Sequence, residues 1–87
     1  MSDENSQKIL AKEKIIALRN IIQQNNAEKL FLIDNPDKFD SYSINFNYRG
    51  GTITYCDWRG PEIRFEANDT DKLIRYYLQL IADYKKD

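Results

Sequence analysis

The sequence predicts an α+β fold in two layers. It calls for a three-stranded antiparallel β-meander with an N-terminal helix, a short second helix and a C-terminal helix packed on one face. Three observations carry this. From Tyr42 to Arg49 the side chains alternate between large apolar and polar, the period of a half-buried strand. Gly50-Gly51 follows, and paired glycines accept the positive φ angles of a tight hairpin. The flanking stretches instead repeat apolar residues at three- and four-residue spacing, the signature of one helix face.

Residues 1 to about 5 are polar and have no apolar anchor, so they are expected to fray. From Ser6 to Gln24, Leu10, Ala11, Ile15, Leu18, Ile21 and Ile22 share one broad helical face. Asn25-Asn26 is the expected stop, because asparagine tolerates the left-handed C-terminal position. Two features of this helix stand apart from its core stripe. Ile9 and Ile16 lie on the opposite side, and Lys8, Lys12 and Arg19 form a basic row beside them. Residues 27–33 suit either a short helix or an extra strand. The helix is preferred, with Asn26 as its N-cap, Leu30 and Ile33 buried and Phe31 a further candidate for burial. Asp34-Asn35-Pro36-Asp37 reads as a turn opening a loop that runs to Asp40.

In the meander, a turn at Gly50-Gly51 pairs Tyr48 with Ile53 and Phe46 with Tyr55. For the second connection, a three-residue turn at Arg59-Gly60-Pro61 pairs Tyr55 with Phe65 and Ile53 with Ala67. A two-residue turn at Gly60-Pro61 would turn Ile63 and Phe65 to the wrong side, so the longer turn is expected. The core face is then Tyr42, Ile44, Phe46, Tyr48, Ile53, Tyr55, Ile63, Phe65 and Ala67. The outer face carries Ser43, Asn45, Asn47, Arg49, Thr52, Thr54, Cys56, Trp58, Glu62, Arg64 and Glu66. Asn68 to Asp71 supply candidate caps for a last helix reaching about Tyr84, with Leu73, Ile74, Tyr77, Leu78, Ile81 and Tyr84 inward.

The 87 residues make one compact domain. Thirteen basic against fourteen acidic residues leave a net charge of -1, so no global field favours nucleic acid or membrane. A single cysteine excludes an internal disulfide. The longest apolar run, Leu30 to Ile33, is far too short to span a bilayer. A soluble cytoplasmic protein is the expectation. Histidine is absent, which removes the commonest general base and metal ligand. With one cysteine as well, the usual zinc sites cannot be assembled. Gly50-Gly51 lacks the Lys-Ser/Thr of a phosphate-binding loop. Asp57, Glu62 and Glu66 fall near one another on the second hairpin, but they read as solvated positions paired with Arg59 and Arg64. No enzymatic activity, cofactor or metal is expected.

Two surfaces are candidates for binding. On the outer sheet face, Trp58 and Arg64 are residue types over-represented at interface hot spots, with Arg49, Asn45, Asn47 and Glu62 around them. The competing reading has Trp58 folded over the sheet edge or covered by the 34–40 loop. On the back of the first helix, Ile9 and Ile16 could pack against a second copy, while Lys8, Lys12 and Arg19 could meet phosphates or an acidic protein.

The order helix, three antiparallel strands, helix resembles that of double-stranded-RNA-binding domains over most of the chain. That resemblance implies a nucleic-acid-binding role, for which Lys8, Lys12, Arg19 and Arg49 are the available cations. Those domains place a lysine cluster at the start of the last helix to contact phosphates; here the positions read Asp69-Thr70-Asp71-Lys72. A small motif-free chain is also similar in type to inhibitors carried by phages and mobile elements, including those that block CRISPR nucleases. The leading expectation is a non-catalytic protein-binding module of inhibitor, immunity or regulatory type. A nucleic-acid-binding domain is the alternative.

Overall fold

A computed structural model describes residues 2–86, with side chains from Lys12 to Lys85. The elements follow the order α1 (Ser2–Gln24), β1 (Phe31–Ile33), β2 (Ser41–Phe46), β3 (Gly51–Asp57), β4 (Gly60–Ala67) and α2 (Thr70–Lys86). The strands form one sheet in the order β1-β2-β3-β4. β1 runs parallel to β2, and the remaining pairs are antiparallel. The α+β class is as expected, but the sheet is mixed and has a fourth strand in place of the short second helix.

That strand exists because of how α1 ends. Asn26 takes a left-handed φ of 54°. Its N–H donates to the Gln23 carbonyl at 3.0 Å, and the Ala27 N–H donates to the Ile22 carbonyl at 3.0 Å. This bond pair is a Schellman motif, closed by Ile22 and Ala27, both buried. Asn26 therefore terminates α1 instead of capping a second helix. The turn at 28–30 releases the apolar run as β1, with Phe31, Leu32 and Ile33 beside Tyr42, Ser43 and Ile44.

Parallel neighbours usually need a crossover of about a dozen residues or more; here residues 34–40 suffice. Asp34 and Asp40, at φ 54° and 59°, reverse the chain at either end of that loop. The loop is pinned over the polar side of β2: the Asn35 N–H donates to Ser43 Oγ at 2.9 Å, and Ser41 Oγ donates to the Lys38 carbonyl at 2.6 Å.

Both hairpins depart from the expected registers. The first loop is Asn47 to Gly50, shaped by Asn47 Oδ1, which accepts the Arg49 and Gly50 N–H groups at 2.9 and 2.8 Å. Gly51 is already in β3, where a Cβ would strike the Asn45 carbonyl. Ile53 thus faces Ile44 where Tyr48 was expected, and Tyr55 faces Tyr42 where Phe46 was expected. The offset is even, so apolar still meets apolar. Tyr48 is left in the loop, 90% exposed.

At the second hairpin Asp57 pairs with Gly60, and Trp58-Arg59 form the tip. Gly60 has φ 103° and neither tip residue has a positive φ, so this is a two-residue turn of type I geometry whose strained position falls on the glycine that follows it. The expected Arg59-Gly60-Pro61 turn lies one residue too late. A bulge farther along lets Ile53 face Phe65 while Thr54 faces Ile63, leaving Arg64 extra. Phe65 and Ala67 keep to the core side, but Ile63 is turned outward and is 59% exposed. Its expected place in the core is lost to the bulge.

α2 covers the apolar side of the sheet. Leu73, Tyr77 and Ile81, one helical turn apart, are buried with Ile44, Ile53 and Phe31. Leu18 and Ile22 of α1 complete the core, with Ile15 half-buried along the same stripe. The Leu10 and Ala11 side chains of that stripe lie outside those described. Asp69 Oδ1 caps α2, accepting the Asp71 N–H at 2.9 Å. The Tyr77 hydroxyl donates to the Leu32 carbonyl at 2.8 Å, tying α2 to β1. Lys14 pairs with Asp71 at 2.5 Å, joining the helices and holding the Asp71 carboxyl below its usual range. Among the described residues, no helix is long and apolar enough to cross a membrane.

Candidate functional site

The polar side of the sheet is largely occupied by its own network. Ser43 Oγ donates to Asn45 Oδ1 at 2.7 Å, and Asn45 Nδ2 donates to Thr54 Oγ1 at 3.1 Å. Ser41, Ser43 and Thr54 are buried. Asn45 is thereby committed to the sheet and Asn47 to its loop. Cys56, facing Ser41, is also buried. Burial first, then the carboxylates of Asp37, Asp57 and Asp40, push its thiol up, which suppresses the reactive thiolate.

The remaining residues expected on this face are dispersed. Arg49 sits 5.3 Å over the Tyr48 ring in the first loop, at the opposite end of β3 from Trp58. The seven residues of β3 put roughly 20 Å between those ends. Arg64 is the bulge residue, and its guanidinium lies 5.6 Å from the centre of the Tyr55 ring. Glu62 is exposed and faces Tyr55 across the ladder. The bulge has rotated both away from the Ile63 side.

Trp58 is 82% exposed at the tip of the second hairpin. Asp57 stiffens that tip: its Oδ1 accepts the Arg59 N–H at 2.8 Å and its Oδ2 accepts Arg59 Nη2 at 2.8 Å. These bonds hold the Asp57 carboxyl below its usual range. They also leave the guanidinium 5.7 Å over the Trp58 ring, within the range of a cation–π contact. The 34–40 loop does not cover the indole. Instead the Asp40 N–H donates to the Cys56 carbonyl at 2.7 Å, which brings Phe39 to the same end of the sheet, 64% exposed. Ile63 is two residues along β4 from Pro61, the partner of Cys56. Phe39 and Trp58 thus lie exposed at one end of the sheet, while Ile63, across from Thr54 at the middle of β3, is exposed on its polar side.

Arg59, Phe39 and Ile63 were missed in the sequence. The signal for Phe39 was a lone aromatic in an otherwise polar loop. Ile63 gave none, because its orientation depends on the bulge.

On α1, Ile16 is 57% exposed, with Lys12 and Arg19 also exposed. The Lys8 and Ile9 side chains lie outside those described. At α2, the acidic start has structural work, Asp69 as cap and Asp71 as partner of Lys14. The fourth strand also breaks the order that resembles double-stranded-RNA-binding domains. Among the described residues, no group of three His, Cys, Asp or Glu side chains is placed to hold a metal ion. Comparison with protein-family models, with curated proteins and with solved structures finds no match for this chain.

Proposed function

We propose that the protein is a small non-catalytic protein-binding module of inhibitor or regulatory type. It docks the Trp58 end of its sheet on a partner protein. The observation that carries this reading is the pair Phe39 and Trp58, each more than half exposed at one end of the sheet, with Ile63 exposed farther along β4. Single exposed apolar residues are ordinary, whereas grouped ones mark interaction sites. Trp and Arg lead interface hot spots, and the Asp57–Arg59 clamp presents Trp58 and Arg59 already ordered, which lowers the entropy lost on binding. Arg64 and Glu62 flank Tyr55 on the opposite side of β4 from Ile63, and they lie outside this surface with Arg49, Asn45 and Asn47.

The test is capture of a partner from host lysate by the wild type and by a Trp58→Ala/Phe39→Ser double variant. Both positions are exposed, so the variant keeps its stability within about 0.5 kcal/mol per site. A hot-spot truncation of about 2 kcal/mol weakens binding roughly thirtyfold, and the captured band disappears. A partner held equally by both proteins refutes this surface. A mobility-shift titration with duplex RNA and DNA at about 50 mM salt addresses the nucleic-acid reading, which requires binding that weakens steeply as salt rises.

A further inference from the structure

The apolar side of the sheet is not covered to its end. Tyr76 of α2 stacks on Phe65 of β4 with ring centres 4.1 Å apart, and two turns later Tyr84 meets Phe31 of β1 at 5.6 Å. The helix therefore crosses the sheet on a diagonal from β4 to β1 and leaves one corner open. Tyr42 and Tyr55 occupy that corner. They face each other across β2 and β3, two residues beyond Ile44 and Ile53, so they share the apolar side. Both are only half-buried.

A continuous row of rings runs through the corner. Tyr84, Phe31, Tyr42 and Tyr55 follow one another at centroid distances of 5.6, 5.4 and 4.8 Å. The Arg64 guanidinium, 5.6 Å from the Tyr55 ring, closes the β4 end. Phe31 is the buried member of the row. Leu80, half-buried, stands between Tyr76 and Tyr84 on one helical stripe, so α2 forms a wall beside the row. Four of the chain's six tyrosines meet here, Tyr42, Tyr55, Tyr76 and Tyr84. Among the described residues Tyr77 is the only tyrosine whose hydroxyl is bonded within the protein, so these four are open to a ligand.

The chemistry of the corner selects its occupant. β2 and β3 are interior strands, each paired on both sides, so an added strand finds no main-chain groups to bond. The charges around Tyr55 balance, Arg59 and Arg64 against Asp57 and Glu62, and that gives no field for a phosphate backbone. What remains is ring surface with hydroxyl donors at its margin. A polyproline II segment fits such a surface, because its prolines pack on aromatic faces and its backbone carbonyls have no internal partners. The dimensions agree. Four strands spaced about 4.8 Å make a row of roughly 14 Å, which about five residues of polyproline II cover at ~3.1 Å each.

We propose that this tyrosine-lined corner is a docking site for a proline-rich segment of a partner protein, bound as a polyproline II helix. Its proline rings lie on Tyr42 and Tyr55 and against Leu80 and Tyr84, while tyrosine hydroxyls donate to its carbonyls. The segment is already extended before it binds, which limits the entropy lost on docking. The site lies on the helix-covered side of the sheet and does not depend on the Trp58 surface at the hairpin tip.

The experiment selects a phage-displayed random dodecapeptide library on the full chain, then titrates enriched peptides into the ¹⁵N-labelled protein. Enriched peptides carry prolines three residues apart, which a polyproline II helix places on one face. They shift the Tyr42 and Tyr55 amides and leave the Trp58 indole resonance unmoved. Tyr55→Ala weakens them at least about tenfold, the scale of one lost aromatic anchor. Tyr55 is half-buried and outside the core cluster; if the variant nonetheless does not fold, Tyr84→Ala, at an exposed position, decides with the same expected loss. The proposal is overturned if no peptide is enriched, if those enriched lack proline, or if the variant binds them as well as the wild type. It is overturned too if a short oligothymidine moves Tyr55 and no peptide does, which assigns the rings to base stacking. Peptides that move Trp58 and not Tyr55 leave the Trp58 surface standing and remove this site.

Discussion

Replacing Tyr77 by Phe removes one oxygen from the middle of the fold, and its effect on stability depends on pH. Tyr77 is fully buried, and its hydroxyl donates to the Leu32 carbonyl at 2.8 Å. At neutral pH the variant loses that bond, a change of about 1 kcal/mol; the ring stays buried, so no cavity of consequence opens. At alkaline pH a second effect acts against the wild type. Burial pushes the Tyr77 hydroxyl well above the ordinary tyrosine range. The unfolded chain releases that proton near pH 10 while the folded chain retains it. The contribution is therefore whole below about pH 10 and is lost as pH rises beyond it. By pH 11 ionisation favours the unfolded wild type by about 1.4 kcal/mol, and Phe cannot ionise. The wild type is thus the more stable protein at pH 7, and its advantage is gone by pH 11. Urea unfolding followed by circular dichroism from pH 7 to 11 measures this as a difference, in which the other tyrosines and the lysines cancel. A constant difference across that range refutes the burial argument.

The bulge register separates two isoleucines that are both expected on the core face but are opposite in fate. Ile53→Ala, at a fully buried position, lowers stability by about 2–5 kcal/mol. Ile63→Ala, 59% exposed, changes it by less than about 0.5 kcal/mol; equal losses in urea melts contradict the register. Asp69→Ala removes the cap of α2 and lowers stability by about 1 kcal/mol, read as a fall in Tm, and an unchanged Tm disproves the capping role.

Much of the fold was legible because alternation and helical spacing are local signals. Tyr42, Ile44, Ile53, Phe65 and Ala67 keep to the expected side, and α2 buries Leu73, Tyr77 and Ile81. Asn26 was recognised as a stop, but a stop and a cap use the same residue type, and the Schellman bonds decide between them. Phe31 to Ile33 could not be assigned from its own residues, since a short apolar run fits helix or strand. What fixes it lies outside the run: β2 across the 34–40 loop and the Tyr77 hydroxyl far along the chain. Tyr48 fell out of the core because Asn47, rather than the glycine pair, makes the first turn. The exposed Trp58 was legible, but the surface around it was not. A one-residue bulge at Arg64 exchanges which side chains stand beside it, and no feature of the β4 sequence announces that bulge.

The parallel pairing of β1 gives the molecule two halves of unequal cohesion. The meander and α2 follow one another through tight connections and share the buried centre. α1 and β1 join that centre through one short strand, the Tyr77 hydroxyl, the Lys14–Asp71 pair and the side chains of Leu18, Ile22 and Phe31. Few attachments of this kind define a cooperative unit that opens below the free energy of global unfolding. Amides of α1 and β1 then exchange ahead of those in β3. The docking of α1 is thus the joint that gives first, while the Trp58 turn at the far edge keeps its Asp57–Arg59 bonds.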